Sequence, residues 1–362
     1  MLSLFALVAA LASPPVDGVV SWLRAHGWGA PVRDALLDEV AADLAKRLDG
    51  PASGPTPDAA RAHLVFLLSR AGVADAHVYP LVVRHGDDAG FEAHLPALLG
   101  RLERSTPPTH VGVATVGDGG QRTTAVVLVH RGVVLDTPLP RAAPEGFTVH
   151  VAGALRRGYY SPRVILATPA GTREVAARAL TRRVDAALAL DAGPGVYGLE
   201  VVADSVYGPV VLANDRIYVG VDPPPLPVVR LAPAGPAAGR TVSPERALAA
   251  LIDRHRAKAG LPPLRWDAEL ALVAHEHAQD LARRQTLVHA PPGKGTLVTR
   301  LRARGRSAAW VAENLAEADN PRRALEAFLA SPGHARNLSL ASLRDVGVGV
   351  SGRYYVVVLA TR

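Results

Sequence analysis

Leu261-Pro-Pro-Leu-Arg-Trp-Asp267, Ser331-Pro-Gly-His-Ala-Arg-Asn337 and Val346-Gly-Val-Gly-Val350 stand in that order in the last stretch of the chain. Each fragment has a local physical reading. Asp267 stands at the start of an apolar-periodic segment carrying Leu270, Val273, His277 and Leu281 on one helical face, so it is an N-cap. Gly and Val alternate through Val346–Val350, a Ser351-Gly352 turn follows, and Tyr354 to Leu359 is a second apolar run; together they predict a β-hairpin. Upstream, Ser243 is an N-cap with Pro244 at the first helical position and Glu245 in the first turn, and Gly260 stops that helix. Asn320-Pro321 opens a further helix with Ala324, Leu325 and Phe328 inward.

Taken together with Ala278-Gln-Asp280, His289 and Glu313-Asn314, these signatures resemble the CAP superfamily. This is the SCP-like extracellular domain of cysteine-rich secretory proteins, antigen 5 and plant pathogenesis-related proteins. The resemblance covers 243–362 and implies an α/β/α sandwich, the CAP fold. It also implies that His289, Glu313 and His334 occupy the family's central cleft, while the family's fourth position, a Glu, falls on Ser331. Two neutral imidazoles and one carboxylate are a donor set for Zn²⁺ with a coordination position left for water. On that expectation Glu313 is the candidate catalytic group, as ligand or base. Asn314, Ser331, Asn337 and Arg300 are expected to support the cleft, with Arg300 orienting Glu313 or else lying on the surface. A hydrogen-bonded His/Glu cluster that only fixes loops is the plainer alternative. Trp266 and Trp310 read as core. His275 and His277 are two apart, so they face different ways and do not make a zincin pair.

Working outward, 362 residues suffice for two or three cores. The expected whole is an α+β multidomain chain. Residues 16–135 read as helices followed by a β-hairpin, a possible degenerate CAP-like copy without the chemistry. Helical spacing covers Leu36 to Leu48, Ala59 to Ala71 and Glu92 to Leu102; Val111–Val116 and Thr123–Val129 flank Gly117–Gly120. Residues 142–222 read as an all-β, Ig-like domain with strands at Phe147–Val151, Arg163–Ala167, Leu199–Val202, Val210–Leu212 and Ile217–Val219. Residues 223–242 are a Pro/Ala-rich linker. Residues 1–12 form a short apolar run ending in Ala10-Leu-Ala12, the pattern of a secretory signal peptide, although no basic residue precedes it.

The net charge of +7 and pI near 10.0 do not mark a nucleic-acid binder. Almost all the positive charge is Arg, with Lys only at 46, 258 and 294, and it is spread along the chain without interleaved aromatics. No Cys is present, which excludes disulfides, a lipoprotein anchor and a Cys nucleophile. Gly347–Gly352 fits G-x-G-x-x-G, but a strand follows where dinucleotide binding requires a helix. There is no G-x-S-x-G elbow and no P-loop.

The expected protein is therefore secreted, periplasmic or envelope-associated, without a transmembrane segment in the mature chain. Its first functional expectation is a binding module for a small apolar, lipid or peptide-like ligand, with Zn as a possible cofactor. A metal-dependent hydrolase using His289, Glu313 and His334 is the alternative, and a structural or adhesive envelope protein is the third class.

Overall fold

The computed structural model describes residues 14–49, 57–100, 102, 105–117, 120–177, 182–225 and 243–361. The signal-peptide expectation at 1–12 and most of the linker expectation at 223–242 lie outside the described residues.

The first part contains α1 (Pro14–Ala25), β1 (Val32–Arg33), α2 (Ala35–Leu48), α3 (Pro57–Arg70), β2 (His77–His85), α4 (Asp88–Leu99), β3 (His110–Val116) and β4 (Arg122–His130). Asp34 caps α2 by accepting from the Leu36 and Leu37 amides. The helix then buries Leu37, Val40, Leu44 and Leu48 against the sheet, as the spacing predicts, but Leu36, which the spacing places on the same face, is exposed in the first turn. The strand β2 is absent from the sequence reading. Its Pro80 breaks a strand pattern, and that is tolerated because β2 is an edge strand.

The middle part contains β5 (Val133–Leu135), β6 (Ala142–Ala143), β7 (Thr148–Leu155), β8 (Tyr160–Thr168), β9 (Gly171–Val175), β10 (Arg183–Ala189), β11 (Gly195–Ser205) and β12 (Gly208–Val219). They form a three-stranded sheet, β10-β7-β5, and a five-stranded sheet, β6-β12-β11-β8-β9. Inward residues of both sheets, among them Val151, Leu166, Leu188 and Leu199, share one apolar core. Two details differ from expectation. Val133–Leu135 pairs with β7 and so belongs to this part and not to the one before it. Val210–Leu212 and Ile217–Val219 are one strand, because the polar Asn214 and Asp215 between them find partners within the fold.

The last part contains α5 (Pro244–Lys258), β13 (Arg265–Trp266), α6 (Ala268–Arg284), α7 (Leu297–Arg302), β14 (Val311–Glu317), α8 (Pro321–Ala330), α9 (Pro332–Ser339), β15 (Asp345–Ser351) and β16 (Tyr354–Ala360). Ser243, Asp267 and Asn320 cap α5, α6 and α8. The sheet separates two apolar clusters. Leu270, Val273, Val356 and Val358 pack on the α6 side, while Leu248, Phe328, Val346 and Val357 pack on the side of α5 and α8. Arg256 of α5 is fully buried and donates to the Pro262, Leu338 and Leu340 carbonyls, which ties α5 to the end of α9.

The first and last sheets follow one plan. Numbered in chain order within each part, both run first-third-fourth-second, and in both a two-residue first strand pairs in parallel with the third. In both, an Asp directly after that short strand donates its own amide to the third strand (Asp34 to Val111 O, Asp267 to Val346 O, 2.9 Å each) and caps the next helix. The following residue of the third strand is Gly in each case. A Cβ on Gly112 would lie 2.1 Å from the Leu37 carbonyl carbon, and one on Gly347 would lie 2.2 Å from that of Leu270. Leu37 and Leu270 both stand three residues after the capping Asp. Only glycine lets the helix backbone lie this close to the strand.

Candidate functional site

Glu313 sits on β14, an edge strand of the last sheet, opposite Val358. Its side chain is 3% exposed. Arg300, from α7, donates to Glu313 Oε1 at 2.6 Å and also to the carbonyls of His289 (3.0 Å) and Gly295 (2.8 Å). His289 Nδ1 donates to Glu313 Oε2 at 3.0 Å. The loop before α7, the helix itself and the strand are thus fastened by one guanidinium and one carboxylate. Burial alone would raise the Glu313 carboxyl, but the hydrogen bond from His289 and the charges of His277, Arg300 and His289 outweigh it and hold the group at about 2.

His277 belongs to this cluster, although the sequence shows it only as one more residue on the inward face of α6. Its ring is fully enclosed, with Nε2 3.6 Å from Glu313 Oε2 and neither ring nitrogen hydrogen-bonded. Burial is the main reason its proton affinity falls to about 4; the Glu313 charge opposes that, and Arg300 and His289 add to it. A histidine in an otherwise apolar stripe is the only sequence signal, and it is the same signal that an ordinary core histidine gives.

Ser331 caps α9 by accepting from the His334 amide (3.3 Å). His334 stands on α9 with its ring edge-on to Phe328, centroids 5.7 Å apart. Burial, then the neighbouring His289, lower its proton affinity to about 3, so it is neutral across the physiological range. Asn314 donates to the His334 carbonyl (3.0 Å), and Asn337 donates to Asn314 Oδ1 (2.9 Å). This amide relay joins β14 to α9. The seven residues singled out in the sequence thus form two groups. Arg300, Glu313 and His289 make an ionic hub, and Asn314, Asn337, Ser331 and His334 make the α9 anchor. His289 and His334 line a shared cleft of about 510 Å³ together with Glu313 and Trp310.

The other wall of that cleft comes from the middle part of the chain. Glu200, on β11 and fully buried, accepts from the Gly333 amide at 2.8 Å. Burial raises its carboxyl, against the lowering hydrogen bonds from Ser331 and Gly333. Asn214 of β12 donates to the Ala330 carbonyl (3.3 Å). At the β11–β12 turn, Tyr207 O accepts from the Ala290 amide (2.9 Å), and a Cβ on Gly208 would lie 3.0 Å from His289 Cβ. A carboxylate 133 positions upstream in sequence therefore meets the first turn of α9, where the helix dipole favours negative charge. No local sequence signal marks Glu200 for this place.

The donor set can be compared with a divalent metal. Both oxygens of Glu313 are engaged by protein donors, one of them the permanently charged Arg300, and among the described residues no three His, Cys, Asp or Glu side chains are grouped to hold a metal ion. The residues as arranged do not fit a metal at Glu313, because a cation there would face a guanidinium.

Residues 249–359 match the family model described as CAP, the cysteine-rich secretory protein family. The chain is 33% identical over 113 residues to the uncharacterized membrane protein YlbC of Bacillus subtilis (strain 168), a match covering 31% of this chain and 32% of that protein. It is 28% identical over 106 residues to the uncharacterized protein YkwD of the same organism, covering 29% of this chain and 41% of that protein. The chain thus spans about a third to two-fifths of the length of these curated relatives. Among solved structures, it resembles an extracellular protein containing a SCP domain from Bacillus anthracis str. Ames, at 20% identity and a TM-score of 0.32, over 47% of this chain and 65% of that one.

Proposed function

With a CAP domain at the C-terminal third as the premise, we propose that this is a secreted or envelope-associated binding protein whose cleft takes a small apolar or peptide-like ligand without transforming it. One observation carries this reading: Glu313, the only carboxylate in the ionic hub, is spent on Arg300 and His289. A general base works best with a proton affinity near the working pH and a free lone pair aimed at the substrate. A carboxyl held at about 2 has neither, and it serves better to brace the wall of a cleft. His334 and His289 then offer polar imidazole edges beside the apolar Trp310, Leu297 and Leu340, a mixture suited to short peptides.

The rest of the chain is part of the same proposal. The first part of the chain, from residue 16 to the end of β4 at His130, is a CAP-like copy that keeps the frame and has lost the chemistry. The support is the shared strand order, the paired Asp caps and the glycine contacts described above. Sheet register adds to it: Gly112 and Pro80 both pair with Val127, as Gly347 and Glu313 both pair with Val358. Pro80 therefore holds the place of Glu313. Ten residues after the capping Asp, where the last part has His277, the first has the fully buried Leu44. The middle part, 142–222, serves as an Ig-like spacer that also walls the cleft. Export is supported by the apolar run at 1–12.

Calorimetry of the full chain separates binding from metal hydrolysis. A short-peptide library is titrated against wild type and Trp310→Ala, and Zn²⁺ against wild type and a His289→Ala, His334→Ala variant. Peptide binding lost in Trp310→Ala, with no His-dependent Zn²⁺ heat, is expected. Micromolar Zn²⁺ binding that disappears in the His variant, accompanied by peptide cleavage, would replace this proposal with the hydrolase.

A further inference from the structure

A second cavity, of about 340 Å³, lies where all three parts of the chain meet. Its size is at the lower end of the range in which small-molecule sites fall. Val206, Val210, Leu287 and Leu315 give it an apolar body. Its charged lining has one sign only, Arg156 and Arg157, beside the imidazoles of His77, His130, His289 and His334 and with no Asp or Glu among the lining residues. In a chain with 33 acidic residues against 40 Lys and Arg, a wall free of carboxylates is a local feature, since composition alone would mix the signs.

Two further details point to an occupant. His77 lines the cavity with a buried Nε2 that has no hydrogen-bond partner, an arrangement that costs free energy unless something satisfies it. At the rim, Val206 is 77% exposed and Tyr207 38%, although the turn that carries them is pinned to the CAP domain through Tyr207 O. Two of its other polar groups already have partners. His130 donates from Nδ1 to the Pro107 carbonyl and accepts at Nε2 from Tyr159 Oη, both at 2.7 Å. The positive field of Arg156 reaches this pair, lowering the proton affinity of His130 behind the larger effect of burial.

We propose that this three-way cavity binds a small organic anion with an apolar body, its charge held at the mouth by Arg156 and Arg157 and its body lodged among Val206, Val210, Leu287 and Leu315. The site does not depend on the cleft beside Trp310, although His289 and His334 border both. It exists only in the assembled chain, because each of the three parts supplies a wall.

Two probes share one aromatic body and differ in charge: 1-anilinonaphthalene-8-sulfonate and the uncharged N-phenyl-1-naphthylamine. Fluorescence titration of the full chain should give one saturable sulfonate site. Its affinity should fall about tenfold or more in Arg156→Ala, Arg157→Ala, because a charge-assisted contact is lost, while binding of the neutral probe stays the same. Val210→Trp fills the cavity and should abolish both signals with an unchanged far-ultraviolet circular dichroism spectrum. Trp310→Ala, at a residue that lines the cleft and not this cavity, should leave both titrations as they are; if wild type binds no peptide while the sulfonate still binds, only the cleft proposal falls. Equal affinity for the two probes, or no effect of the Arg pair, would overturn the anion site. Sulfonate binding that survives Val210→Trp would overturn the cavity as its location. Should Val210→Trp misfold, Val206→Trp at the exposed rim provides the same test.

Discussion

Replacing Arg300 with Ala is expected to unfold the last part of the chain well below its normal temperature. Arg300 makes three hydrogen bonds, and the one to Glu313 supports a carboxylate only 3% exposed. Removing one partner of a buried ion pair costs about 3–5 kcal/mol, because the other charge is left without compensation. The carbonyls of His289 and Gly295 border the half-exposed loop, where water can replace the guanidinium, so each adds about 1 kcal/mol at most. A total near 4 kcal/mol in a cooperative unit of this size lowers the melting temperature by about 10–20 °C. Differential scanning calorimetry on the full chain measures it. Arg300→Ala, Glu313→Gln and the double variant close a cycle whose coupling should be about 2 kcal/mol or more. A shift under about 3 °C, or strict additivity, would show that the Arg300–Glu313 contact is a surface accessory and would remove the basis for calling Glu313 a brace.

The same cluster sets an acid limit. Proton affinities of His277, His334 and Glu313 are all lower in the fold than in the unfolded chain. The unfolded chain therefore binds more protons, and stability falls with pH: from about 6.5 down through about 4 for His277 and about 3 for His334, and from about 4.5 to about 2 for Glu313. Glu200, whose carboxyl is raised, works in the opposite sense, contributing stability that is lost as pH rises through its folded value. His277→Leu should flatten the slope of urea stability between pH 6.5 and 4 by up to about one proton; an unchanged slope would contradict a buried neutral imidazole. Glu200→Ala should free the Gly333 amide at a cost of about 0.5–2 kcal/mol, read as faster hydrogen exchange in a peptide spanning 330–340, with Glu200→Gln intermediate. Equal exchange in all three proteins would mean that β11 only abuts α9.

Features carried by neighbouring residues were legible in the sequence. Ser243-Pro244, Asp267 and Asn320-Pro321 each announce a helix start because capping is settled within four residues. The Gly-Val hairpin reads equally well, since its alternation and its turn are contiguous. The strand Val311–Glu317 does not, because Glu313, Asn314 and Glu317 interrupt any apolar run and are affordable there only through partners elsewhere. The cleft residues are recognisable through a family likeness; spacing along the chain does not show that Arg300 turns inward to Glu313. Glu200 has no local signal, because its partner is 133 positions away, and the signal of His277 is ambiguous, because a buried histidine and a core residue occupy the same place in a helical pattern.

The contact between Glu200 and α9 also bears on where this protein can be divided. The Pro/Ala-rich stretch before Ser243 looks like the natural place to cut. A fragment starting there would leave Glu200, Asn214 and Tyr207 behind, exposing the first turn of α9, the Ala330 carbonyl and the loop bearing His289 to solvent. Its cleft would have one wall, and the second cavity would not exist. The cleft is bounded by hydrogen bonds between parts, so a family domain excised at its sequence limits would present a different surface from the one the whole chain builds.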